Sequence, residues 1–277
     1  VESAGDGWTF VVDMLDRYTF DGSSSSSMTE SKGVARRLGE VTATMHLALA
    51  SEPWDHELSP ETIRSADTER WRSGYLAMLD AVAAGTRHAR PNMDSPTAEL
   101  ADAFIELSPG LRNRAEGFDR LLGRAKTRVH GDYHLGQLLR TVNRDFAVID
   151  FEGEPQRPIE ERRLKTSPLK DVAGMLRSFA YARGTVAARG GTGDSGGAAA
   201  LVAWERQMRT DFLAAYLRTA SDGGANFLPS SPADFQAAIA AWELDKTVYE
   251  VQYELNNRPD WLWIPLSGML KYGTPAS

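Results

Sequence analysis

The sequence predicts a mostly α-helical fold with one small β-hairpin insertion. Three observations predict it. Apolar residues recur at helical spacing along most of the chain. Short runs of the strand-forming kind gather between Thr127 and Phe151. Two of those runs are joined by Asn143-Arg144-Asp145, residues that favour a turn.

The elements follow in order. Trp8, Phe10, Val11, Val12, Met14, Leu15 and Tyr18 give residues 1–20 one apolar face, so a short helix, or a strand and then a helix, is expected. Asp21-Gly22 and the serines Ser23 to Ser27 read as a flexible surface loop or linker. Over residues 33–50, Leu38, Val41, Met45 and Leu49 are spaced by 3, 4 and 4 and share a helical face. After Pro53 and Pro60, a helix over Thr62 to Ala83 would bury Trp71, Tyr75, Met78, Leu79 and Val82. Pro91 and Pro96 break the chain, and Pro109-Gly110 bends or interrupts a further amphipathic pattern over residues 97–125. Thr127–His130, Gln137–Thr141 and Phe146–Phe151 are strand candidates, the last two forming the hairpin. Helices follow over Leu169–Ala182, Ala198–Thr219 and Pro232–Asn256, with a closing segment Trp261–Leu270. Between the first two, Gly184 to Gly197 reads as a Gly-rich loop without packed structure.

The 277 residues carry 31 Lys+Arg against 38 Asp+Glu, a net charge of −7, and no cysteine. The missing cysteines exclude disulfides, thiol catalysis and thiolate-bound metals. The acidic balance argues against nucleic acid as a partner. No apolar run approaches the roughly 18–20 residues that cross a bilayer, which argues against a membrane. The N-terminus lacks the basic, apolar and small-residue succession of a secretion signal. A soluble cytoplasmic protein is the resulting expectation.

The β insertion concentrates the polar residues that chemistry needs. Asp132 and Asp150 stand on either side of the hairpin, which can bring both toward one point. One carboxylate can take a proton from a hydroxyl while the other holds a cation. Gln137, five residues after Asp132, can add an amide oxygen. Such hard oxygen ligands suit Mg²⁺. A lone Asp here would be an ordinary turn or cap residue. The ordered set His130-x-Asp132, Gln137 and Asp150-Phe151 instead matches kinase-type phosphoryl transfer: a base, an amide five residues on, and an Asp–aromatic pair for the metal.

On these motifs the chain resembles the aminoglycoside phosphotransferase and choline kinase branch of the protein-kinase-like fold, and within it the actinobacterial maltokinases. The resemblance runs through His130–Gln137, Asp150–Pro158, Glu161–Arg163, Ser167–Phe179 and Tyr249–Trp261. It implies an ATP- and Mg²⁺-dependent transfer to maltose, giving maltose 1-phosphate for α-glucan synthesis from trehalose, with trehalose synthase as a possible partner. It also implies roles: Asp132 as catalytic base, Gln137 and Asp150 as metal ligands, and His130 as a buried support of the loop. His134 would touch substrate or pack beneath the loop, and Glu152 would orient Asp150 or line the site. Asp171 and Arg177 read as structural polar contacts that would hold the hairpin, and Glu160 to Arg163 as a solvated charge run.

Trp242, Lys246, Tyr249, Tyr253 and Asn257 are spaced by 4, 3, 4 and 4 and share one helical face. Such an aromatic stripe is ordinarily core. Here it includes a lysine and two phenols, and sugars bind to flat rings with hydrogen-bonding heads. By resemblance, Lys246, Tyr249 and Tyr253 would bind the disaccharide, with Glu250, Glu254 and Arg258 as further contacts. Trp261 and Trp263 would pack the C-terminal segment.

The same resemblance makes the chain a C-terminal lobe: a helical part over 1–126, a catalytic and metal-binding hairpin over 127–155, and a helical sugar-binding part over 156–277. Residues 1–126 hold only Lys32 and Lys126, neither in a strand pattern, and no Gly-rich loop precedes a strand. The N-terminal lobe that covers ATP in this fold is therefore expected to be absent, and the chain alone to be inactive. Two rivals remain open: a kinase of the same fold acting on glucosamine or another small substrate, and a non-catalytic binding module.

Overall fold

The computed structural model describes residues 2–21, 23–51, 57–154, 158–190 and 195–273. Gly22, Pro53, Pro155-Gln156-Arg157 and residues 191–194 of the Gly-rich stretch lie outside them. The elements run β1 (Ser3–Asp6), α1 (Gly7–Phe20), α2 (Ser25–Leu49), β2 (Glu61–Thr62), α3 (Ser65–Ala89), α4 (Ser95–Leu111), β3 (Ala125–Lys126), β4 (Leu138–Thr141), β5 (Phe146–Val148), α5 (Ile159–Arg162), α6 (Leu169–Ala188), α7 (Ser195–Asp222), α8 (Pro232–Asn257) and α9 (Trp263–Leu270). Short 3₁₀ segments occupy Arg90–Asn92, Arg112–Leu121, Leu135–Gln137 and Pro259–Trp261. The mostly helical class with a small hairpin is what the periodicity predicts.

Three local expectations are corrected. The serine run is not a loop throughout: Ser25 to Ser27 open α2, and the Ser24 hydroxyl accepts from the Ser27 N–H at 3.2 Å. Serine is a weak helix former but a strong N-cap, so a serine cluster can start a helix. The Gly-rich stretch is loop only in part, because α6 continues to Ala188 with Gly184, Thr185 and Val186 buried. One helical glycine costs about 1 kcal/mol against Ala, and burying a valine returns about 1.5–3 kcal/mol. Thr127–His130 is not a strand. Thr127 and Thr166 exchange two 2.9 Å backbone bonds in an isolated bridge, and the His130 N–H goes to a side chain instead.

The chain forms two compact units, Val1–Glu61 with Ala125–Leu228 and Thr62–Arg124 with Pro229–Ser277. In the first, α6 is the central helix. Every residue from Asp171 to Ala180 is buried, as expected of a helix apolar nearly all round. Both α1 and α7 pack on α6, and α2 runs along α7. Val11, Leu15, Leu38, Val172, Leu176, Phe179, Phe212 and Tyr216 fill the space between them. An antiparallel sheet of order β1-β4-β5 lies beside α1, with Leu138 opposite Val148 and Arg140 opposite Phe146. Asp6 ends β1 and caps α1, accepting from the Thr9 N–H at 2.7 Å.

In the second unit, α3, α4, α8, α9 and the 3₁₀ segment after α4 enclose a core that includes Tyr75, Phe104, Phe118 and Trp242. Pro109 sits inside α4, which gives way to 3₁₀ geometry two residues later. Proline lacks the N–H that would bond the Ile105 carbonyl, and the Ser108 hydroxyl donates to that carbonyl instead, at 2.9 Å. Among the described residues, no helix is long and apolar enough to cross a membrane.

Candidate active site

The site forms where the β4–β5 hairpin, the loop before it and the start of α6 meet within the first unit. Leu138 to Thr141 and Phe146 to Val148 pair because a short turn closes them locally. The Ile149 N–H continues the ladder by one bond to the Gln137 carbonyl, 3.0 Å away. Asp150 then leaves the strand with a φ of +63°. Left-handed backbone is costly for most side chains but easier for Asp, and it turns the carboxylate away from the ladder. The Gln137 amide nitrogen lies 3.1 Å from that carboxylate. Asp150 is exposed and Gln137 half-buried.

Asp132 reaches the same region through His130. The buried His130 ring has Nε2 2.8 Å from the Ile149 carbonyl and Nδ1 3.3 Å from the Asp132 N–H. One neutral tautomer satisfies both: Nε2 carries the hydrogen and donates, and Nδ1 accepts. A single imidazole therefore joins the loop bearing Asp132 to the strand end bearing Asp150. Gly131, at φ +88°, makes the turn between His130 and Asp132, with Gly153 behind it, so a side chain is excluded there.

The loop rests on Asp171, at the N-terminal end of α6. Its two oxygens accept from the His130 N–H at 2.8 Å and the Gly131 N–H at 2.9 Å. His46 of α2 adds a third contact, 3.1 Å from Nε2. Burial pushes the Asp171 carboxyl up. The hydrogen bonds from His46 and the Gly131 N–H outweigh it and hold the group below the usual carboxylate range. Gly174 lets α6 approach: a Cβ there would lie 2.4 Å from the Tyr133 carbonyl oxygen. The Ser178 hydroxyl accepts from the Leu135 N–H at 3.0 Å, and the Tyr133 hydroxyl meets Thr42 at 3.0 Å.

The other sequence-derived candidates separate. His134 Nε2 lies 3.8 Å from the Asp132 carboxylate, while its Nδ1 accepts from the Gly136 N–H at 3.0 Å. Glu152 is exposed two residues beyond Asp150, and its neighbour Glu154 is buried with Lys170 at 4.0 Å. Lys246, Tyr249 and Tyr253 belong to α8 of the second unit. There Trp242 is core, packed on Phe118 and Trp71, while Lys246, Tyr249 and Tyr253 are half-buried. The Lys246 ammonium lies 4.8 Å from the Tyr249 ring centre, and the Arg258 guanidinium 5.3 Å from that of Tyr253. Glu254 is buried and takes a two-pronged bond from Arg258 at 2.7 and 2.9 Å. Glu250 is buried on the same helix.

The structure thus brings Asp132, Gln137, Asp150, His130 and His134 together in one unit, with two carboxylates and an amide side chain around a braced loop. Asp150 and Gln137 can offer oxygens to a hard cation. Among the described residues no three His, Asp or Glu side chains cluster as a metal cage, so such a cation would draw its remaining ligands from phosphate and water. Sequence reasoning passed over His46. A histidine on an otherwise apolar helix face was the available signal.

The profile of the phosphotransferase enzyme family, APH, matches residues 15–206. The chain belongs to that family. Among curated relatives of this phosphotransferase, the glucosamine kinase of Streptacidiphilus jiangxiensis is 29% identical over 261 residues, covering 94% of this chain and 53% of the relative. That of Mycolicibacterium smegmatis is also 29% identical, covering 98% and 61%. A solved glucosamine kinase in complex with glucosamine, ADP and inorganic phosphate superposes with a TM-score of 0.81 at 26% identity, covering 98% of this chain and 58% of that one. The phosphotransferase chain therefore spans about half to three-fifths of these relatives. The expected family and protein-kinase-like fold stand. The finer maltokinase likeness is displaced: the relatives' names point to an amino sugar, and none carries the trehalose-synthase association.

Proposed function

We propose that the intact protein is an ATP-dependent sugar kinase whose acceptor is glucosamine. The observation that carries the reaction is the junction at His130, which ties the Asp132 loop to Asp150 while Asp150 meets Gln137. Likeness to glucosamine kinases over nearly the whole chain supports the acceptor, and the ADP of the solved relative supports the nucleotide.

In this reading Asp132 takes the proton of a sugar hydroxyl as its oxygen bonds to the γ-phosphorus of ATP and the bond to the ADP oxygen breaks. His134 places Nε2 3.8 Å from the Asp132 carboxylate, with its Nδ1 accepting from the Gly136 N–H. Asp150 and Gln137 are the residues that would hold Mg²⁺, which when bound offsets phosphate charge. His130 and Asp171 keep the loop in shape, so the protein's part is positioning and electrostatics. Glu152, exposed two residues beyond Asp150, offers a carboxylate of the kind an ammonium-bearing sugar calls for. Tyr249 and Tyr253 offer ring faces and hydroxyls. A second reading, maltose as acceptor, is favoured by Lys246 beside the Tyr249 ring, since a fixed cation suits a neutral sugar better than a charged one.

The test is ADP release by the intact protein with Mg-ATP and either glucosamine or maltose, repeated with Asp132→Asn. Glucosamine-dependent release that falls about 10²–10⁴-fold in the variant is expected for loss of a general base. Release with maltose alone transfers the acceptor to the second reading. Release with neither sugar sinks the sugar-kinase reading.

A further inference from the structure

The hairpin that carries Gln137 and Asp150 is fastened at its far end by a cation that no step above uses. The Arg140 guanidinium lies 4.7 Å from the ring centre of Phe10 on α1 and 4.8 Å from that of Phe146 on β5. The two rings meet edge to face, 6.0 Å between centroids. Arg140 Nη1 also donates to the Arg144 carbonyl and lies 3.4 Å from that of Asp145. Arg144 closes the turn at a φ of +62°, a conformation that favours glycine. One half-buried side chain thus joins α1, β5 and the turn. Burial pulls the Arg140 pKa down against the Asp145 charge. An arginine keeps its charge at any ordinary pH, and a cation over a ring holds more strongly once it has lost water.

We infer that Arg140 is a positioning residue for cation binding, holding the hairpin in register on α1 so that Gln137 and Asp150 keep their spacing. This rests on the kinase reading above. Leu138 and Arg140 share the face of β4 that meets α1, where Gly7 lies against Leu138. Gln137 stands just before Leu138, and Asp150 two residues after Val148, the partner of Leu138. The last rung between them is the Ile149 N–H bond to the Gln137 carbonyl. A slip in pairing therefore passes directly to the Gln137–Asp150 pair, and a slip of one residue turns every side chain of a strand over. The plainer explanation is apolar packing, since Leu138 and Phe146 are buried on the same face. Apolar contact is non-directional and tolerates sliding. A planar cation held by two rings and bonded to the turn does not.

The two separate in Arg140→Met, Phe10→Leu and the double variant, made in the intact protein. Methionine keeps an unbranched stem and loses the cation and the donor. Leucine keeps apolar bulk and loses the ring face. The readouts are hydrogen exchange of the Ile149 amide without ligands, Mn²⁺ affinity in the presence of ADP by electron paramagnetic resonance, and KM for the sugar. Arg140→Met should speed Ile149 exchange at least about tenfold while α7 keeps its protection. It should weaken Mn²⁺ binding by about tenfold and leave the sugar KM within about twofold, because only the spacing of the cation ligands has changed. Phe10→Leu should shift exchange and Mn²⁺ affinity the same way, by about threefold. The double variant should be no worse than Arg140→Met, because the ring acts through the cation. Unchanged Ile149 exchange in Arg140→Met, or additive losses in the double variant, would leave packing as the whole role and overturn the inference. Faster exchange with unchanged Mn²⁺ affinity would overturn it equally, confining Arg140 to the stability of the hairpin. Neither exchange nor Mn²⁺ binding needs a sugar or turnover, so a parent protein that phosphorylates no sugar would sink the kinase reading and still leave these two readouts to decide the role of Arg140.

Discussion

Two carboxylates of the first unit do similar work in opposite surroundings. Asp171, 1% exposed, holds the loop before the hairpin through two backbone N–H groups and His46. Asp145, with a side chain 43% exposed, holds the hairpin turn. It takes Arg37 Nε and Nη2 at 2.7 and 2.8 Å and the Phe146 N–H at 2.8 Å. Both carboxyls are held below the usual range. For Asp145 the Arg37 bond is the largest cause; for Asp171 the partners must first overcome burial. The surface group can fall back on water when a partner is lost, and the buried one cannot. The protein has placed the unforgiving arrangement beneath the residue proposed to do chemistry.

The largest effect should come from breaking the buried side. Asp171→Ala would leave two amides and a histidine without their acceptor, and about 3–5 kcal/mol should be lost in urea unfolding, as for a broken buried charge pair. A loss under about 1 kcal/mol would mean that water reaches the loop and the comparison fails. Gly174→Ala should come next. Its Cβ would collide with the Tyr133 carbonyl oxygen at 2.4 Å, and main chain yields poorly. An overpacking cost of about 1–3 kcal/mol then competes with the roughly 1 kcal/mol that alanine gains in a helix. Net stabilisation in the same assay would show that α6 can back away from the loop.

These features differ in how readable they were. Asp132, Gln137 and Asp150 could be grouped from sequence because a hairpin closes locally and its strand pattern is short and clear. The support beneath them was legible only in part: Asp171 reads as a structural polar contact and does hold the loop, but its partner on α2 could not be read. His46 and Asp171 are 125 residues apart, and no periodicity announces that pairing. On α8 the spacing correctly put Trp242, Lys246, Tyr249 and Tyr253 on one face, but spacing does not say what that face meets. Trp242 turned to Phe118 and Trp71 as core. The serine run misled because its composition suits a linker and a helix start equally. The acceptor was the least legible. The hairpin motifs encode phosphoryl chemistry common to many kinases, whereas a sugar is chosen by scattered contacts. The curated relatives act on glucosamine by name, where the motif likeness had suggested maltose.

Acid should sharpen the comparison with a smaller effect. The folded-state pKa of Asp171 lies below its unfolded value near 3.8. Its contribution is therefore complete above that pH and is lost as pH falls through the folded value. Asp145 has the same sign. In thermal melts from about pH 5 to pH 2, Asp171→Asn should flatten the acid decline relative to the parent protein, because one depressed group no longer takes up a proton on unfolding. An unchanged slope would place the acid sensitivity in the surface pairs.

The smallest effect belongs to the exposed side. Arg37→Ala removes the paired cation from Asp145, but the carboxylate keeps the Phe146 N–H and gains water. With the two side chains 46% and 43% exposed, the cost should be about 0.2–1 kcal/mol. It should shrink further in about 1 M salt, where the Debye length falls to about 3 Å. The Asp171→Ala loss should hold nearly constant in the same salt, because a buried contact is screened little. The two variants measured at both ionic strengths form a direct test. If salt reduced both losses alike, Asp171 would be as wet as Asp145, and the division between a buried loop anchor and a solvated turn anchor would not stand.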